Sequence, residues 1–299
     1  MIRKLDKLEK IEVDDFDSTK VKFTFPPAPH SGKIILEGKK LAKSYGDLHL
    51  FSYVNFTIAR GEKVGLIGKN GVGKSTLLKM TMKEEGFDGE LQVGYSVNVG
   101  YYAQNQSDIL DGDKTVFQTI DDEAVGEIRK NVRGLLGAFL FSGDDIDKKV
   151  KVLSGGEKAR LAFCKLLLQP YNFLILDEPT NHLDLPSKEV LKKALARYDG
   201  TLLLVSHDRD FLDGLTDTVY EIQSDRMVIY PGTVKEFLKE KKAASIRLYE
   251  QNKIENQAKK EIKKKDANPE VVVKIDKQKE KDLRKIETSI EKEEENLKR

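Results

Sequence analysis

Three short apolar runs along the chain each lead directly into glycine or polar residues. They are Lys63–Ile67, Phe173–Leu176 and the segment TLLLVSHD at residues 201–208. Short apolar runs of this kind predict buried strands. Ligands of parallel α/β sheets collect at the carboxyl ends of the strands, which is where these runs place their polar residues. The pattern therefore predicts an α/β domain whose binding site lies just beyond the three strands.

The two ends of the chain follow different patterns from the middle. Near the start, apolar side chains at helical spacing precede the extended, proline-containing FTFPPAPHSGK: Ile2, Leu5, Leu8 and Ile11. Near the end, a coiled-coil stripe and a solvated charged helix explain the same apolar positions equally well: Leu283, Ile286, Ile290 and Leu297. We divide the chain into the end of a linker (1–33), a central domain (34–240) and a charged helical tail (241–299).

Composition narrows the setting of this chain. Its 299 residues include one cysteine, and no stretch approaches the roughly 20 apolar residues of a membrane-spanning helix. These features predict a cytoplasmic protein in which Cys164 is a core residue. Residues 241–299 carry a net charge of +5 and the remainder −3. The basic tail favours contact with RNA, although intermixed acids suit a solubilising helix nearly as well.

The strongest chemical signal is the glycine-rich stretch GLIGKNGVGKSTLLKM at residues 65–80. It fits the phosphate-binding pattern G-x-x-x-x-G-K-[ST] completely. Glycines allow successive backbone N–H groups to curl around phosphate oxygens, and the positive end of the following helix adds to this attraction. Lys74 can reach the β- and γ-phosphates, and the Ser75 hydroxyl can bind Mg²⁺. The predicted nucleotide-binding residues are Gly68, Lys69, Asn70, Gly71, Val72, Gly73, Lys74, Ser75 and Thr76.

Two further segments place ionisable groups at strand ends. In NFLILDEPTNHLD (172–184), Asp177 and Glu178 close an apolar strand. Adjacent residues of a strand point in opposite directions, so one carboxylate can hold a metal while the other faces a water molecule. His207 follows the third strand and is predicted to lie beside them.

Together these motifs resemble an ATP-binding cassette of the ABC superfamily over about residues 34–240. The similarity rests on the phosphate loop, VGYYAQ, LSGGEKAR, LILDEPTNHLD and VSHDRDF, in this order. EPTNHLD and SHDRDF are similar to the ABC-F family, whose members lack transmembrane domains and act on ribosomes. The resemblance implies an ABC-type P-loop ATPase core with a mixed sheet and flanking helices, a β-rich subdomain and a helical signature subdomain. It also implies ATP and Mg²⁺ as ligands.

The resemblance assigns roles to single residues. Tyr45 is expected to stack on adenine and Gln104 to lie near Mg²⁺ and the attacking water, with Gln106 as the alternative glutamine. Asp177 becomes the metal-binding acid, Glu178 the general base and His207 the residue that contacts the γ-phosphate. Three residues are expected to face nucleotide bound to a second cassette: Ser154, Gly155 and Gly156. Asp184 is expected to be the D-loop residue that acts across the same interface.

One departure from the family is the number of cassettes. ABC-F proteins carry two, joined by a long helical linker, whereas this chain has one copy of each motif and resembles the second half. We expect either a fragment, which we favour, or a half-protein that dimerises; a lone monomer should hydrolyse ATP weakly. The leading interpretation is a ribosome-associated ATPase. The alternatives are the nucleotide-binding subunit of a membrane transporter, and an ATP-dependent clamp with incidental hydrolysis.

Overall fold

The computed structural model describes residues 27–103, 106–181 and 183–247. Three sequence predictions therefore lie outside the described residues: the amphipathic pattern near the start, the role of Gln104, and the coiled-coil or solvated-helix alternatives for the tail beyond residue 247. The division of the chain at residues 33 and 240 also stays a prediction.

A six-stranded sheet forms the centre of the molecule. All neighbouring strands are parallel except the last pair, in the order β5-β6-β7-β3-β8-β9. Every residue of β6 and β7 is buried, which explains their uninterrupted apolar sequences. The strands are β3 (Lys63–Ile67), β5 (Val99–Tyr102), β6 (Phe173–Asp177), β7 (Thr201–Val205), β8 (Thr218–Ile222) and β9 (Met227–Pro231).

A separate antiparallel sheet contains β1 (Ile34–Tyr45), β2 (Leu48–Ala59) and β4 (Asp88–Val93), with β1 in the middle. Buried and exposed residues alternate over the second half of β2, so one face of this sheet packs inward and the other meets solvent. The inward residues share a core with helix α1 (Lys74–Thr81) and strand β3. The antiparallel sheet therefore supports the loop between β3 and α1.

A helical region lies between β5 and β6. It has short 3₁₀ turns at Gln106–Ile109, Gly143–Asp147 and Val150–Val152. Its α-helices are α2 (Val116–Asp121), α3 (Gly126–Lys130), α4 (Val132–Ala138) and α5 (Gly155–Leu166). Tyr102 of β5 stacks on Phe163 of α5 with ring centroids 3.8 Å apart, which joins this region to the sheet. Cys164 is fully buried in the same core, as predicted.

Two helices follow the last central strands: α6 (Leu185–Ala196) after β6 and α7 (Arg209–Leu212) after β7. Residues 234–247 are also helical, and Lys241 pairs there with the carboxylate of Glu221 on β8. No helix of the described residues is both long and apolar enough to span a membrane. The predicted fold class is confirmed: an α/β core with a mixed sheet, a β-rich part and a helical part.

Candidate functional site

The predicted phosphate loop connects β3 to α1. Gly71 and Gly73 have φ angles of 78° and 103°, a region that side-chain-bearing residues rarely occupy. A Cβ atom added to Gly73 would lie 2.9 Å from the ring of Phe51, so the loop packs directly on β2. Lys69, Asn70 and Gly71 form the exposed outer part of the loop. The loop thus has the conformation and access that a phosphate group requires.

Lys74 begins α1 and folds back over the loop. Its ammonium group donates to the carbonyls of Gly68, at 2.9 Å, and Lys69, at 3.2 Å. Burial lowers the pKa of Lys74, and the negative charges of Glu178 and Asp177 oppose that shift. These charges interact because the two carboxylates, although about 100 residues away in sequence, lie close to the ammonium group in the fold.

Asp177 is the last residue of β6 and is buried. Burial raises its pKa, while a hydrogen bond with Ser75 and the charge of Lys74 lower it. Within the described part of the chain, the Oδ1 atom of Asp177 is buried without a hydrogen-bond partner. A buried carboxylate oxygen lacking a partner, next to a serine hydroxyl, fits the oxygen ligands that Mg²⁺ prefers. No described group of three or more His, Cys, Asp or Glu side chains could hold a metal alone. Mg²⁺ usually keeps water molecules and substrate phosphate oxygens among its ligands, so a site with few protein ligands suits it.

Glu178 follows β6 and has a φ angle of 49°, which is unusual for a residue with a side chain. Its Oε2 accepts a hydrogen bond of 3.3 Å from the backbone N–H of His207. Burial raises the pKa of Glu178 to about 7, and the hydrogen bond from His207 opposes the shift. The sequence argument separated Asp177 and Glu178 by strand alternation. In the structure Glu178 lies beyond the strand, and its backbone turn directs the side chain.

His207 lies directly across from Glu178. Its Nε2 is 3.5 Å from Glu178 Oε1. Burial lowers the pKa of His207, and the charge of Lys74 lowers it further, so the neutral imidazole is favoured. The structure therefore brings Lys74, Ser75, Asp177, Glu178 and His207 together at the carboxyl ends of β3, β6 and β7.

Ser154 caps the amino terminus of α5, and its side chain makes its hydrogen bonds with Glu157 of the same helix. Its hydroxyl donates to Glu157 Oε2 at 2.7 Å and accepts from the Glu157 N–H at 3.3 Å. Glu157 in turn accepts from the Ser154 N–H, which completes a capping box. A Cβ atom added to Gly155 would meet nothing within 4 Å, so the fold of this chain does not require a glycine there.

The remaining predicted residues lie at other places. Tyr45 ends β1, with 44% of its surface exposed, and the Lys43 ammonium lies 4.5 Å from its ring centroid. Asp184 caps α6 by accepting a hydrogen bond of 3.0 Å from the Ser187 N–H. Gln106, the alternative to Gln104, begins a 3₁₀ turn and lines a pocket together with Tyr101.

The sequence argument missed the polar residues that hold the loop around His207. The hydroxyls of Ser206 and Thr180 are 3.2 Å apart and buried, and Lys188 donates to Asp208 Oδ2 at 2.8 Å. Ser206 and Asp208 flank His207 within the SHDRDF motif, and this position in the sequence could have indicated that they support the histidine. No sequence pattern indicates the role of Lys188, because its partner Asp208 is 20 residues further along the chain.

Comparisons with known proteins identify relatives of this chain. A family model described as ABC transporter matches residues 51–181. The chain is 43% identical over 249 residues to ABC transporter F family member 2 of Arabidopsis thaliana. It is 44% identical over 257 residues to the ATP-binding protein YdiF of Bacillus subtilis strain 168. These alignments cover 82% and 85% of this chain.

The same alignments cover 37% and 39% of the relatives, so the chain spans about two fifths of the length of the curated relatives it matches. Among solved structures, a bacterial Atm1-family ABC exporter with ATP bound is similar in fold, with a TM-score of 0.61. That match is 19% identical in sequence and covers 72% of this chain and 41% of the exporter chain. The matched part of this chain is therefore an ABC cassette of the ABC-F family.

Proposed function

We propose that this chain binds ATP with Mg²⁺ at the phosphate loop and cleaves the γ-phosphate by in-line attack of water. The observation that carries this proposal is the convergence of Lys74, Asp177, Glu178 and His207 at one edge of the sheet. Phosphoryl transfer needs positioned groups and charge stabilisation more than covalent chemistry, and these side chains supply both. Tyr45 stacks on the adenine in this proposal.

Lys74 and the loop from Gly68 to Thr76 bind the phosphates. On nucleotide binding, the Lys74 ammonium exchanges its two loop carbonyls for phosphate oxygens, which are stronger partners for a cation. Ser75 and Asp177 hold Mg²⁺, and Gln104 belongs to the same shell by resemblance alone. The bound metal supplies charge stabilisation at the transferring phosphate.

Glu178 acts as the general base that accepts the proton of the attacking water. Its pKa near 7 suits this role, because a base works best when its pKa lies close to the working pH. His207 stays neutral and contacts the γ-phosphate, while its backbone N–H holds the Glu178 carboxylate.

A second cassette completes the site from outside the chain. Ser154, Gly155 and Gly156 face the nucleotide of that partner, and Asp184 contacts the partner near its own site. Open space around Gly155 supports this, since a glycine without an internal packing reason suits close approach by another molecule.

The parent protein acts on ribosomes in the cytoplasm. This part of the proposal rests on the ABC-F motifs EPTNHLD and SHDRDF and on the relatives over about four fifths of the chain. It is tested by sedimenting the full-length parent with ribosomes, with and without a non-hydrolysable ATP analogue. We expect analogue-dependent cosedimentation. Equal amounts in the pellet under both conditions would contradict nucleotide-controlled ribosome binding.

The nucleotide site is tested by substituting Lys74. Lys74→Ala removes a charge-assisted contact to phosphate, which should weaken ATP binding by about tenfold to a hundredfold. Binding is measured by fluorescence titration with an ATP analogue. Lys151→Ala is the matched control, because Lys151 is an exposed lysine of the Val150–Val152 turn that pairs with Asp113, outside the phosphate loop. Equal affinities of Lys74→Ala and the unmodified chain would refute the assignment of the loop.

A further inference from the structure

The ion pair between Lys188 and Asp208 connects helix α6 to the loop that carries His207. The Lys188 ammonium donates to Asp208 Oδ2 at 2.8 Å, and the two side chains are 30% and 25% exposed. Lys188 lies in the first turn of α6, whose start is fixed by the Asp184 cap. A partly buried, charge-assisted contact of this kind holds its loop more firmly than an exposed surface pair.

Two contacts join this region to α6: Lys188 donates to the Asp208 side chain beside His207, and Lys192 donates to the backbone carbonyl of Asp210. Asp208 Oδ1 caps α7 by accepting from the Phe211 N–H at 3.0 Å. The Asp208 N–H donates to the Ser206 hydroxyl at 3.0 Å, and that hydroxyl contacts Thr180. Both residues that flank His207 are therefore fixed, and the backbone of His207 has little freedom of its own.

His207 passes this constraint to Glu178. The His207 N–H donates to Glu178 Oε2, whereas Oε1 is buried without a hydrogen-bond partner among the described residues. A shift of the loop would therefore displace the main hydrogen bond that orients this carboxylate. Hydrolysis is sensitive to such shifts, because a displacement of about 1 Å can cost roughly a hundredfold in rate.

The first turn of α6 also contacts the helix that begins at Ser154. Arg160 of α5 donates to the Ser187 hydroxyl at 2.5 Å, and Ser187 precedes Lys188. One turn of helix thus touches α5 on one side and the His207 loop on the other. Ser187 and Lys188, which are adjacent in α6, therefore connect α5 to the His207 loop and to Glu178.

We propose that Lys188 is a positioning residue for ATP hydrolysis. It fixes the position of His207, and through it that of the Glu178 carboxylate, relative to helices α6 and α5. The inference rests on the proposed roles of Glu178 and His207. Lys188 itself contacts neither of them, so its removal should leave the phosphate loop intact. The expected signature is a lower turnover rate with unchanged nucleotide affinity.

The test compares Lys188→Met, Lys188→Arg and Lys193→Met in the complete chain. Lys188→Met should lower kcat about tenfold while the affinity for a fluorescent ATP analogue stays within about twofold. Lys188→Arg keeps the charge and should restore most of the rate. Lys193→Met, on the same helix, loses an i,i+4 pair with Glu189 and should leave kcat unchanged.

A second measurement does not depend on turnover. In the nucleotide-free chain, Lys188→Met should shift the ¹⁵N amide resonance of His207, and Asp208→Asn should shift it in a similar way, while Lys193→Met should not. An unchanged His207 resonance in a folded Lys188→Met variant overturns the inference, as does a loss of affinity equal to the loss of rate. If Glu178→Gln hydrolyses ATP at the unmodified rate, the proposed base is wrong, and a shifted His207 resonance would still establish the structural link.

Discussion

Glu178 shows at the scale of a single residue how the proposed chemistry conflicts with stability. Its carboxyl group is buried and its backbone has a positive φ angle, and both features are unfavourable for the fold. Sequence reasoning selected this residue from its place after an apolar strand. It could not anticipate the hydrogen bond from His207, because the donor lies 29 residues away in the sequence, and no residue pattern indicated the positive φ angle of Glu178.

We predict that Glu178→Gln stabilises the nucleotide-free chain above neutral pH. The pKa of Glu178 is about 7 in the folded chain and 4.5 as its ordinary value. Between these values the folded state keeps a proton that the unfolded state has released, so stability falls as the pH rises from 4.5 to 7. Neutral glutamine avoids this loss, which is on the order of 1–3 kcal/mol above pH 7.

Thermal unfolding of the two proteins at about pH 5 and pH 8 measures this effect. The midpoint of Glu178→Gln should exceed that of the unmodified chain at the higher pH and approach it at the lower. Glu189→Gln is the control, since its carboxylate is 73% exposed. A Glu178→Gln variant that is no more stable at high pH would show that the carboxylate is not destabilising.

At the scale of elements, the sequence predicted the strands better than the helix ends. The buried runs of β3, β6 and β7 were recognisable because helices or sheets cover both their faces. The antiparallel sheet was expected from family resemblance alone. The role of Ser154 on a partner's nucleotide stays a prediction, and in the structure of this chain its hydroxyl donates to Glu157. The S-x-x-E spacing of a capping box was present in LSGGEKAR and went unused.

The capping box predicts a stability difference between two substitutions at Glu157. Glu157→Ala removes the acceptor for the Ser154 N–H and hydroxyl and should destabilise the chain by about 1 kcal/mol. Glu157→Gln keeps an acceptor oxygen at the same place and should cost less. Urea denaturation gives both values. Equal losses would indicate that the carboxylate charge near the helix terminus, rather than the hydrogen bonds, provides the stabilisation.

At the scale of the whole molecule, the sequence motifs identified the cassette, whereas its need for a second cassette stays a prediction. The phosphate loop, LILDEPTNHLD and VSHDRDF converge on one site, and Ser154 makes its contacts within its own helix. No pattern in a single chain could supply the partner that would use the Ser154 loop.

We predict that pairing of cassettes depends on both halves of the proposed site. Glu178→Gln cannot accept the proton of water, and it removes negative charge near the γ-phosphate. With ATP and Mg²⁺ this variant should therefore shift toward a dimer in light scattering. Ser154→Arg in the same chain should abolish the shift by filling the space for the partner's phosphate. Dimerisation of the double variant would contradict the cross-interface role of Ser154.

The basic tail predicts a salt-dependent contact with RNA. Removing residues 248–299 keeps the described helix up to residue 247 and its pair between Lys241 and Glu221. RNA affinity should fall and its dependence on salt should flatten, because fewer phosphates are neutralised. ATP binding should not change. Filter binding at several salt concentrations measures both chains, and identical slopes would rule out the tail as an RNA contact.

The contact between Phe51 and Gly73 limits how far the chain can be shortened without changing the phosphate loop. The Phe51 ring packs against Gly73, the residue before α1, so β2 supports the curved phosphate loop from below. The segment from β3 to α1 contains the whole phosphate-binding motif. The conformation of its loop also depends on packing against β2, which lies outside the motif. A shortened cassette is therefore expected to need the antiparallel sheet to keep the shape of its phosphate loop, in addition to the residues that contact the nucleotide.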